Sequence, residues 1–206
     1  MLRVLIAADM EGISGVVNWE QVDPNHAEYN RFRHIMTAEI NAALKGAIQT
    51  GADDVLVTDG HDRNRNILIE ELDPRARLIA GGGDAYGMVS GIDNKVNAAM
   101  FVGYHARAGT RNAVLDHTWS DSVNNLWLNG RLVGEFGLNA ALCGAFDVPV
   151  IMVSGDQAIC AEASDLISGI EVAVVKQARG RYVAELLPLE LSHQRVREAA
   201  ARAILA

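Results

Sequence analysis

Short apolar runs alternate with longer helical patterns along most of the chain. Apolar runs with the length and β-branched content of buried strands cover residues 4–8, 55–58, 78–80, 98–102, 148–153 and 172–175. Apolar residues at helical spacing cover residues 26–49, 137–145, 158–167 and 190–205. This alternation predicts an α/β fold, in which a mostly parallel sheet is covered by helices on both faces.

Weaker patterns complete the predicted fold. A short helix is predicted at residues 67–72, and another after the glycine-rich turn at residues 81–83. Asn129 and Gly130 lie between two runs of alternating polarity, which is a strong signal for a tight antiparallel turn. We therefore expect an inserted β-hairpin at residues 125–135, in or beside the parallel sheet.

The composition suits one globular domain. Of the 206 residues, 50% are apolar and 21% are charged, and no repeat or linker interrupts them, so residues 1–206 are predicted to form a single α/β domain. The formal net charge of -8 argues against a nucleic-acid partner, because phosphate binding needs clustered Lys and Arg. The short basic clusters are interpreted as solvated faces: Arg31 with Arg33, Arg63 with Arg65, and residues 176–181.

The sequence also indicates where the protein works. No run approaches the ~18 consecutive apolar residues that a membrane span needs, and the N-terminus lacks the pattern of a signal peptide. We expect a cytoplasmic protein with no membrane partner. Cys143 and Cys160 lie in apolar surroundings without CxxC spacing, so they are predicted to be buried, reduced and not a zinc pair.

Acids and histidines follow several of the predicted strands. In an open α/β sheet, ligands bind beyond the carboxyl ends of the strands, where loops from several strands converge. The candidates at these positions are Asp9 and Glu11 after the first strand, Asp59 and His61 after the second, His105 after the strand at 98–102, His117 further along the chain, and Glu135 at the end of the hairpin.

Carboxylates and imidazoles that converge on one point suit a divalent cation such as zinc. Two metal ions bridged by one carboxylate would use five of these side chains and would leave His117 free to move protons. The five predicted metal ligands are Asp9, Glu11, His61, His105 and Glu135. The other histidines, His26, His34 and His193, lie on polar helical stretches and are given no role in the site.

Five motifs carry a resemblance to a known family: ADMEGISG, TDGHD, GYHARAGT, DHTW and VGEFGLNA. In this order and at these spacings, the chain closely resembles the zinc D-aminopeptidases of the bacterial dipeptide-transport operon, from its first residue to about Gln177. The resemblance implies that Asp9 bridges two zinc ions in each subunit. It implies that Glu11 and His61 complete the first metal site, that His105 and Glu135 complete the second, and that His117 is the catalytic nucleophile or base.

The resemblance further implies a substrate and an assembly. The expected substrates are short peptides with an N-terminal D-residue such as D-alanine. The expected assembly is a homo-oligomer, a decamer of two stacked pentameric rings. Members of that family continue for several tens of residues beyond the position that matches Ala206. The family's C-terminal extension is therefore expected to be absent from this chain, either because the protein is naturally shorter or because the chain is a fragment.

Two other functions remain open from the sequence. An acid pair after the first strand also opens the magnesium-dependent phosphohydrolases that use an aspartate nucleophile, which would be Asp9. Their later metal motif is incomplete, because Cys160 follows Gly155 and Asp156 where an acid is needed, and Asp156 is better interpreted as a helix N-cap. The third hypothesis is a metal-binding assembly protein without catalysis.

Overall fold

The chain forms a seven-stranded sheet with a separate hairpin and four α-helices, and a computed structural model describes all residues, Met1–Ala206. The strands are β1 (Arg3–Ala8), β2 (Asp54–Asp59), β3 (Ala76–Ile79), β4 (Ala98–Val102), β5 (Leu126–Leu128), β6 (Arg131–Val133), β7 (Val150–Asp156), β8 (Glu171–Gly180) and β9 (Val183–Leu186). The helices are α1 (Tyr29–Gln49), α2 (Glu135–Ala145), α3 (Gln157–Leu166) and α4 (Leu189–Leu205). None of the helices has both the length and the apolar character that crossing a membrane requires.

The sheet confirms the predicted α/β fold. Its strand order is β3-β2-β1-β4-β7-β8-β9, and every neighbouring pair is parallel except β8 with β9. Strand β1 lies near the middle and pairs with β2 on one side and β4 on the other. The carboxyl ends of these three strands therefore meet at one edge of the sheet, where the sequence placed most of the candidate residues.

The two faces of the sheet are covered by different helices. Along β1, Val4 and Ile6 pack into an apolar cluster that includes residues of α1 and α4. The alternate residues Leu5 and Ala7 pack into a second cluster with residues of α2 and α3. Because successive side chains of a strand point to opposite faces, a continuous apolar run is what a strand buried on both faces requires.

The predicted hairpin is present, with one correction. Strands β5 and β6 pair antiparallel as a separate two-stranded sheet, and Asn129 and Gly130 at the turn have φ values of 50° and 78°. Positive φ at both turn residues is typical of the type I′ turn that Asn-Gly favours. The assignment of Glu135 to the end of the hairpin was wrong, because Glu135 is the first residue of α2.

The predicted short helix at residues 67–72 was also wrong. This segment contains turns only, although its residues Ile67 and Leu72 are buried as the apolar spacing implied. The buried carboxylate of Asp59 accepts hydrogen bonds from the backbone N–H groups of Asn66 (2.5 Å) and Ile67 (2.8 Å). These bonds tie the start of the segment to the end of β2, and its apolar residues are buried by a loop rather than by a helix.

Lys176 does not lie on a solvated face, in contrast to the prediction for residues 176–181. It is only 1% exposed within β8. The pairing of β7 with β8 shifts register between Gly155 and Asp156, and both Val175 and Lys176 are buried. A β-bulge breaks the alternation of inward and outward side chains, and the polar pattern of the sequence does not reveal it.

We predict that Gly46→Ala destabilises the fold. A Cβ atom at Gly46 would lie 2.2 Å from the carbonyl oxygen of Arg197 and 3.0 Å from Cβ of Ala200, so α1 and α4 would have to separate. The expected loss is about 1–3 kcal/mol in the free energy of unfolding, measured by urea denaturation. Gly144→Ala in α2 is the matched control, because no atom lies within 4 Å of the added Cβ, and helix propensity predicts a gain of about 0.5–1 kcal/mol. Equal effects of the two variants would contradict the predicted close packing.

Candidate metal centre

The structure brings all six predicted site residues together at the carboxyl edge of the sheet. Asp9 and Glu11 directly follow β1, His61 follows β2, His105 follows β4, His117 lies in the long loop after β4, and Glu135 begins α2. The five predicted metal ligands are buried, with exposures of 2% to 8%, and the side chain of His117 is 12% exposed. Asp59 lies beside them in the sequence, but its carboxylate is bound by the loop that follows it.

The two carboxylate oxygens of Asp9 face two different histidines. Oδ1 lies 3.4 Å from Nδ1 of His61, and Oδ2 lies 3.5 Å from Nε2 of His105. Each histidine also faces a second acid, since His61 Nδ1 is 3.0 Å from Glu11 Oε2 and His105 Nε2 is 3.6 Å from Glu135 Oε2. Asp9 therefore belongs to two triads of potential ligands, one on each side of its carboxylate.

A backbone carbonyl fixes each histidine ring through one nitrogen. A carbonyl oxygen can only accept, so the bonded ring nitrogen carries the hydrogen and the other nitrogen faces the acids. The three contacts are His61 Nε2 to Val22 O (2.8 Å), His105 Nδ1 to Ala106 O (3.1 Å) and His117 Nδ1 to Leu115 O (2.8 Å). Anchors of this kind set the tautomer and orientation of histidines that bind metals in proteins.

Three of the atoms that converge here are buried without a hydrogen-bond partner. They are Oδ2 of Asp9, Oε2 of Glu11 and Nε2 of His105. Leaving buried polar atoms unpaired is costly, whereas cations bound among them would satisfy all three. Two atoms that each lie about 2.0–2.1 Å from a tetrahedral zinc ion are about 3.3 Å apart, and the four histidine–carboxylate separations, 3.0 to 3.6 Å, are close to that value. The donor set and its spacing therefore fit zinc.

Burial and mutual repulsion control ionisation in the triad around Glu11. Burial, together with the Glu11 carboxylate, raises the pKa of Asp9 to about 7. Burial also opposes ionisation of Glu11, but the charge of His61 outweighs it and holds the pKa of Glu11 well below its usual value. The same pairing raises the pKa of His61 well above its usual value despite burial. Without metal, protons on the histidine supply the positive charge that the acids need.

The other triad shows the same balance. Burial disfavours a charge on His105, but its contact with Glu135 raises the pKa of His105 to about 10. Burial similarly opposes ionisation of Glu135, and the contact with His105 lowers the pKa of Glu135. His117 behaves differently, because burial and the neighbouring charge of His105 both lower the pKa of His117. His117 is therefore the neutral imidazole of the cluster.

Neighbouring rings and backbone groups limit the movement of His117 and Glu135. The ring of His117 stacks on that of His105 with 3.7 Å between centroids, and Trp19 contacts it edge-on at 5.3 Å. The backbone N–H of Trp119 donates to Oε2 of Glu135 at 2.7 Å. Ligand-type atoms of His105, His117 and Glu135 lie within 4.8 Å of one another, so His117 is close to the second triad.

Glycines allow two loops of the centre to approach each other. The N–H of Gly12 donates to the carbonyl oxygen of Gly103 at 2.7 Å, and a Cβ atom at Gly12 would lie 1.9 Å from the carbonyl oxygen of Tyr104. At Gly103, φ is +76° and a Cβ atom would lie 2.3 Å from the carbonyl oxygen of Asp9. Only glycine permits both features, and they bring the loop that carries Glu11 against the loop that carries His105.

A surface cavity of about 450 Å³ opens onto the centre. Its wall includes four of the five predicted ligands, His117, two tryptophans and two further acids: Asp9, Glu11, His61, Glu135, His117, Trp19, Trp119, Asp62 and Asp121. No Lys or Arg lines it. A larger cavity, of about 630 Å³, lies elsewhere and is lined by none of the six site residues.

Residues that were given no role in the site have other partners. His34 pairs with Glu71 and His26 lies beside Asp23 on the surface. Asp156 is the N-cap of α3, as predicted, and accepts hydrogen bonds from the N–H groups of Ala158 and Ile159. Its other oxygen accepts from the N–H of Val114. Both oxygens of Asp156 are thus used in hydrogen bonds to the backbone, which does not favour the metal-binding role that the phosphohydrolase hypothesis would need.

The reduced, buried state predicted for the two cysteines is confirmed, and neither is near the centre. Cys143 lies in α2 and Cys160 in α3, and both thiols are free. Burial raises the pKa of each thiol to about 12. Thiols that stay protonated are poor metal ligands and poor nucleophiles.

Comparisons with known proteins agree on one family. The family model described as D-aminopeptidase matches residues 2–206. A curated D-aminopeptidase of Bacillus subtilis (strain 168) is 41% identical over 186 residues, which is 90% of this chain and 68% of the relative. The solved structure of the Zn-dependent D-aminopeptidase DppA from Bacillus subtilis, described as a self-compartmentalizing protease, matches with a TM-score of 0.97 and 39% identity, and the match covers 99% of this chain and 74% of that one.

We predict that Gly12→Ala strongly destabilises the protein, because the added methyl group would overlap the backbone at Gly103 and Tyr104. The expected loss in the free energy of unfolding is about 3 kcal/mol or more, from thermal or urea denaturation of metal-free protein. Gly144→Ala again serves as the control, since its Cβ would contact nothing. A Gly12→Ala protein with wild-type stability would show that the two loops do not need this close approach.

Proposed function

Because the chain belongs to the D-aminopeptidase family and is a metallo-aminopeptidase, we propose that it uses two zinc ions to remove an N-terminal D-residue, such as D-alanine, from short peptides. The observation that carries this proposal is the pair of triads on either side of Asp9, each with buried atoms that lack a partner. Zinc is supported by the donor set and by the Zn-dependent relative.

Each zinc ion would be held by one triad. Glu11, His61 and Oδ1 of Asp9 would hold the first ion, and His105, Glu135 and Oδ2 of Asp9 would hold the second. Asp9 would thus bridge the two ions. When bound, the metal pair would supply Lewis acidity, which polarises the scissile carbonyl and lowers the pKa of a water molecule.

His117 is the proposed catalytic residue. Its Nδ1–H donates to the carbonyl oxygen of Leu115, so Nε2 carries the lone pair, and Nε2 lies 3.9 Å from Oε1 of Glu11. His117 also lines the cavity. Burial lowers the pKa of His117, which keeps Nε2 able to accept a proton at neutral pH. As a general base, Nε2 can take the proton from the attacking water and then give it to the leaving amine. As a nucleophile, Nε2 would attack the carbonyl itself; a water molecule would then give its proton to the leaving amine, and the resulting hydroxide would cleave the acyl-histidine bond.

The cavity suits the amino end of a short peptide. Its volume of about 450 Å³ accommodates a few residues, and Asp62 and Asp121 add negative charge to a wall without Lys or Arg. A free N-terminal ammonium group would therefore be attracted to this cavity. The preference for D-residues is supported by the D-aminopeptidase relatives.

Assembly into rings is part of the proposal. The Bacillus subtilis relative is described as self-compartmentalizing, and the expected decamer of two stacked pentamers would enclose the centre in the same way. Large apolar side chains that are free on the isolated chain would be available for such contacts, among them Trp127, Tyr182 and Val183.

The first prediction concerns metal content. Wild-type protein reconstituted with zinc and desalted should contain about two ions per chain, measured by elemental analysis. Glu135→Gln should retain one ion, and Asp9→Asn should lose affinity for both, because Asp9 belongs to both triads. Glu71→Gln, which changes an exposed acid beside His34, is the control and should retain two. Equal metal content in Asp9→Asn and wild type would contradict the bridging role.

The second prediction concerns catalysis. His117→Ala should lower kcat for a D-alanyl dipeptide about 100- to 10,000-fold, because the proton acceptor is removed. Its zinc content should remain near that of the wild type. His34→Ala, at the surface, should leave kcat unchanged. A His117→Ala enzyme within tenfold of wild-type kcat would rule out this role, and wild-type protein with full zinc that cleaves no D- or L-alanyl peptide would favour a non-catalytic protein.

A further inference from the structure

The buried ammonium group of Lys176 binds the loop that carries Glu11. Nζ donates to the backbone carbonyl oxygens of Glu11 (2.6 Å), Ile13 (3.0 Å) and Val16 (2.7 Å). An ammonium group has three N–H donors, so these three bonds use all of them. The side chain is 1% exposed, and it reaches across more than 160 residues of sequence from β8 to this loop.

A second buried charge holds the donor groups of the same loop. The carboxylate of Glu39, in α1, accepts hydrogen bonds from the backbone N–H (2.9 Å) and the hydroxyl group of Ser14. Its other oxygen accepts from the hydroxyl group of Ser154, at 3.3 Å. Lys176 thus binds carbonyl oxygens of the loop, and Glu39 binds the N–H and hydroxyl groups of Ser14. Hydrogen-bond acceptors and donors of the loop are therefore both held by buried side chains.

Burying a lysine and a glutamate is expensive, and apolar residues could fill the same volume at lower cost. What apolar residues cannot supply is a hydrogen-bond donor for three carbonyl groups of a loop that lies outside any strand or helix. One of these carbonyls belongs to Glu11 itself. The direction of the Glu11 side chain, and hence of Oε2 toward His61, follows from the orientation of that peptide unit.

We propose that Lys176 is a positioning residue for the first metal site, which acts by fixing the backbone of Glu11. The inference rests on the proposed function, because it assumes that Glu11 and Glu135 serve different metal ions. All three bonds of Lys176 go to residues 11–16, and none goes to the segments that carry His105 or Glu135. Loss of Lys176 should therefore weaken one metal site more than the other, which a general loss of stability would not do.

The test measures zinc affinity site by site, by competition of metal-free protein with a chromophoric chelator at neutral pH. Lys176→Met is placed in a Glu135→Gln background, which reports on the site of Glu11, and in a Glu11→Gln background, which reports on the site of Glu135. We expect zinc affinity to fall about 10- to 100-fold in the first background, a loss typical for groups that orient metal ligands. In the second background we expect a change of less than threefold.

Arg3→Met is the matched control. It removes a cation that bridges Asp54 and the carbonyl oxygen of Asn94 at the opposite end of the sheet, so it costs stability without touching the centre. It should leave both zinc affinities unchanged. Circular dichroism and thermal unfolding of each metal-free variant record how much fold is lost.

Ser14→Ala provides a milder second variant, in case Lys176→Met does not fold. It removes the hydroxyl bond to Glu39 and leaves the backbone N–H bond in place. It should weaken zinc only at the site of Glu11, by about threefold or more. The inference would be overturned if a folded Lys176→Met protein kept wild-type zinc affinities, or lost affinity equally at both sites. If Lys176→Met is unfolded, unchanged zinc affinity in Ser14→Ala would overturn it. Wild-type protein that binds fewer than two zinc ions would instead count against the proposed function.

Discussion

Three carboxylates buried around the same two imidazoles impose the constraint on which the rest of this structure depends. Asp9, Glu11 and Glu135 are exposed by only 2%, 3% and 6%, and their negative charges cannot be left unbalanced in such surroundings. The imidazoles of His61 and His105 lie between them and gain strongly raised pKa values as a result. The same spacing is what two zinc ions would require, so the proposed metal sites relieve the cost that the buried acids create.

The fold is organised so that these groups cannot move apart. Parallel strands β1, β2 and β4 deliver the ligand loops to one edge, and backbone carbonyls hold each histidine ring by its far nitrogen. Close contact at Gly12 and Gly103 locks two of the loops together. The buried Lys176 and Glu39 satisfy the remaining polar groups of the first loop. Rigid support of this kind limits the reorganisation needed when ligands bind a cation.

Much of this arrangement can be predicted from the sequence, because its signals are local. The apolar run of β1 ends directly at Asp9, and the strand-end rule then groups it with His61 and His105. The Asn129-Gly130 turn is equally local. What could not be predicted depends on distant partners. The segment at residues 67–72 is a loop tied to the carboxylate of Asp59 instead of the expected helix. The bulge in the pairing of β7 with β8 buries Lys176 against the alternating pattern. The tautomer of His61 depends on the carbonyl of Val22, which no spacing rule links to it.

The most direct test of the bridging role of Asp9 is anomalous scattering at the zinc absorption edge, from crystals of the zinc-loaded protein. We expect two peaks per chain, one on each side of the Asp9 carboxylate, with His61 and Glu11 at the first peak and His105 and Glu135 at the second. A single peak, or a peak not bound to Asp9, would contradict the central claim that this carboxylate bridges two metal ions.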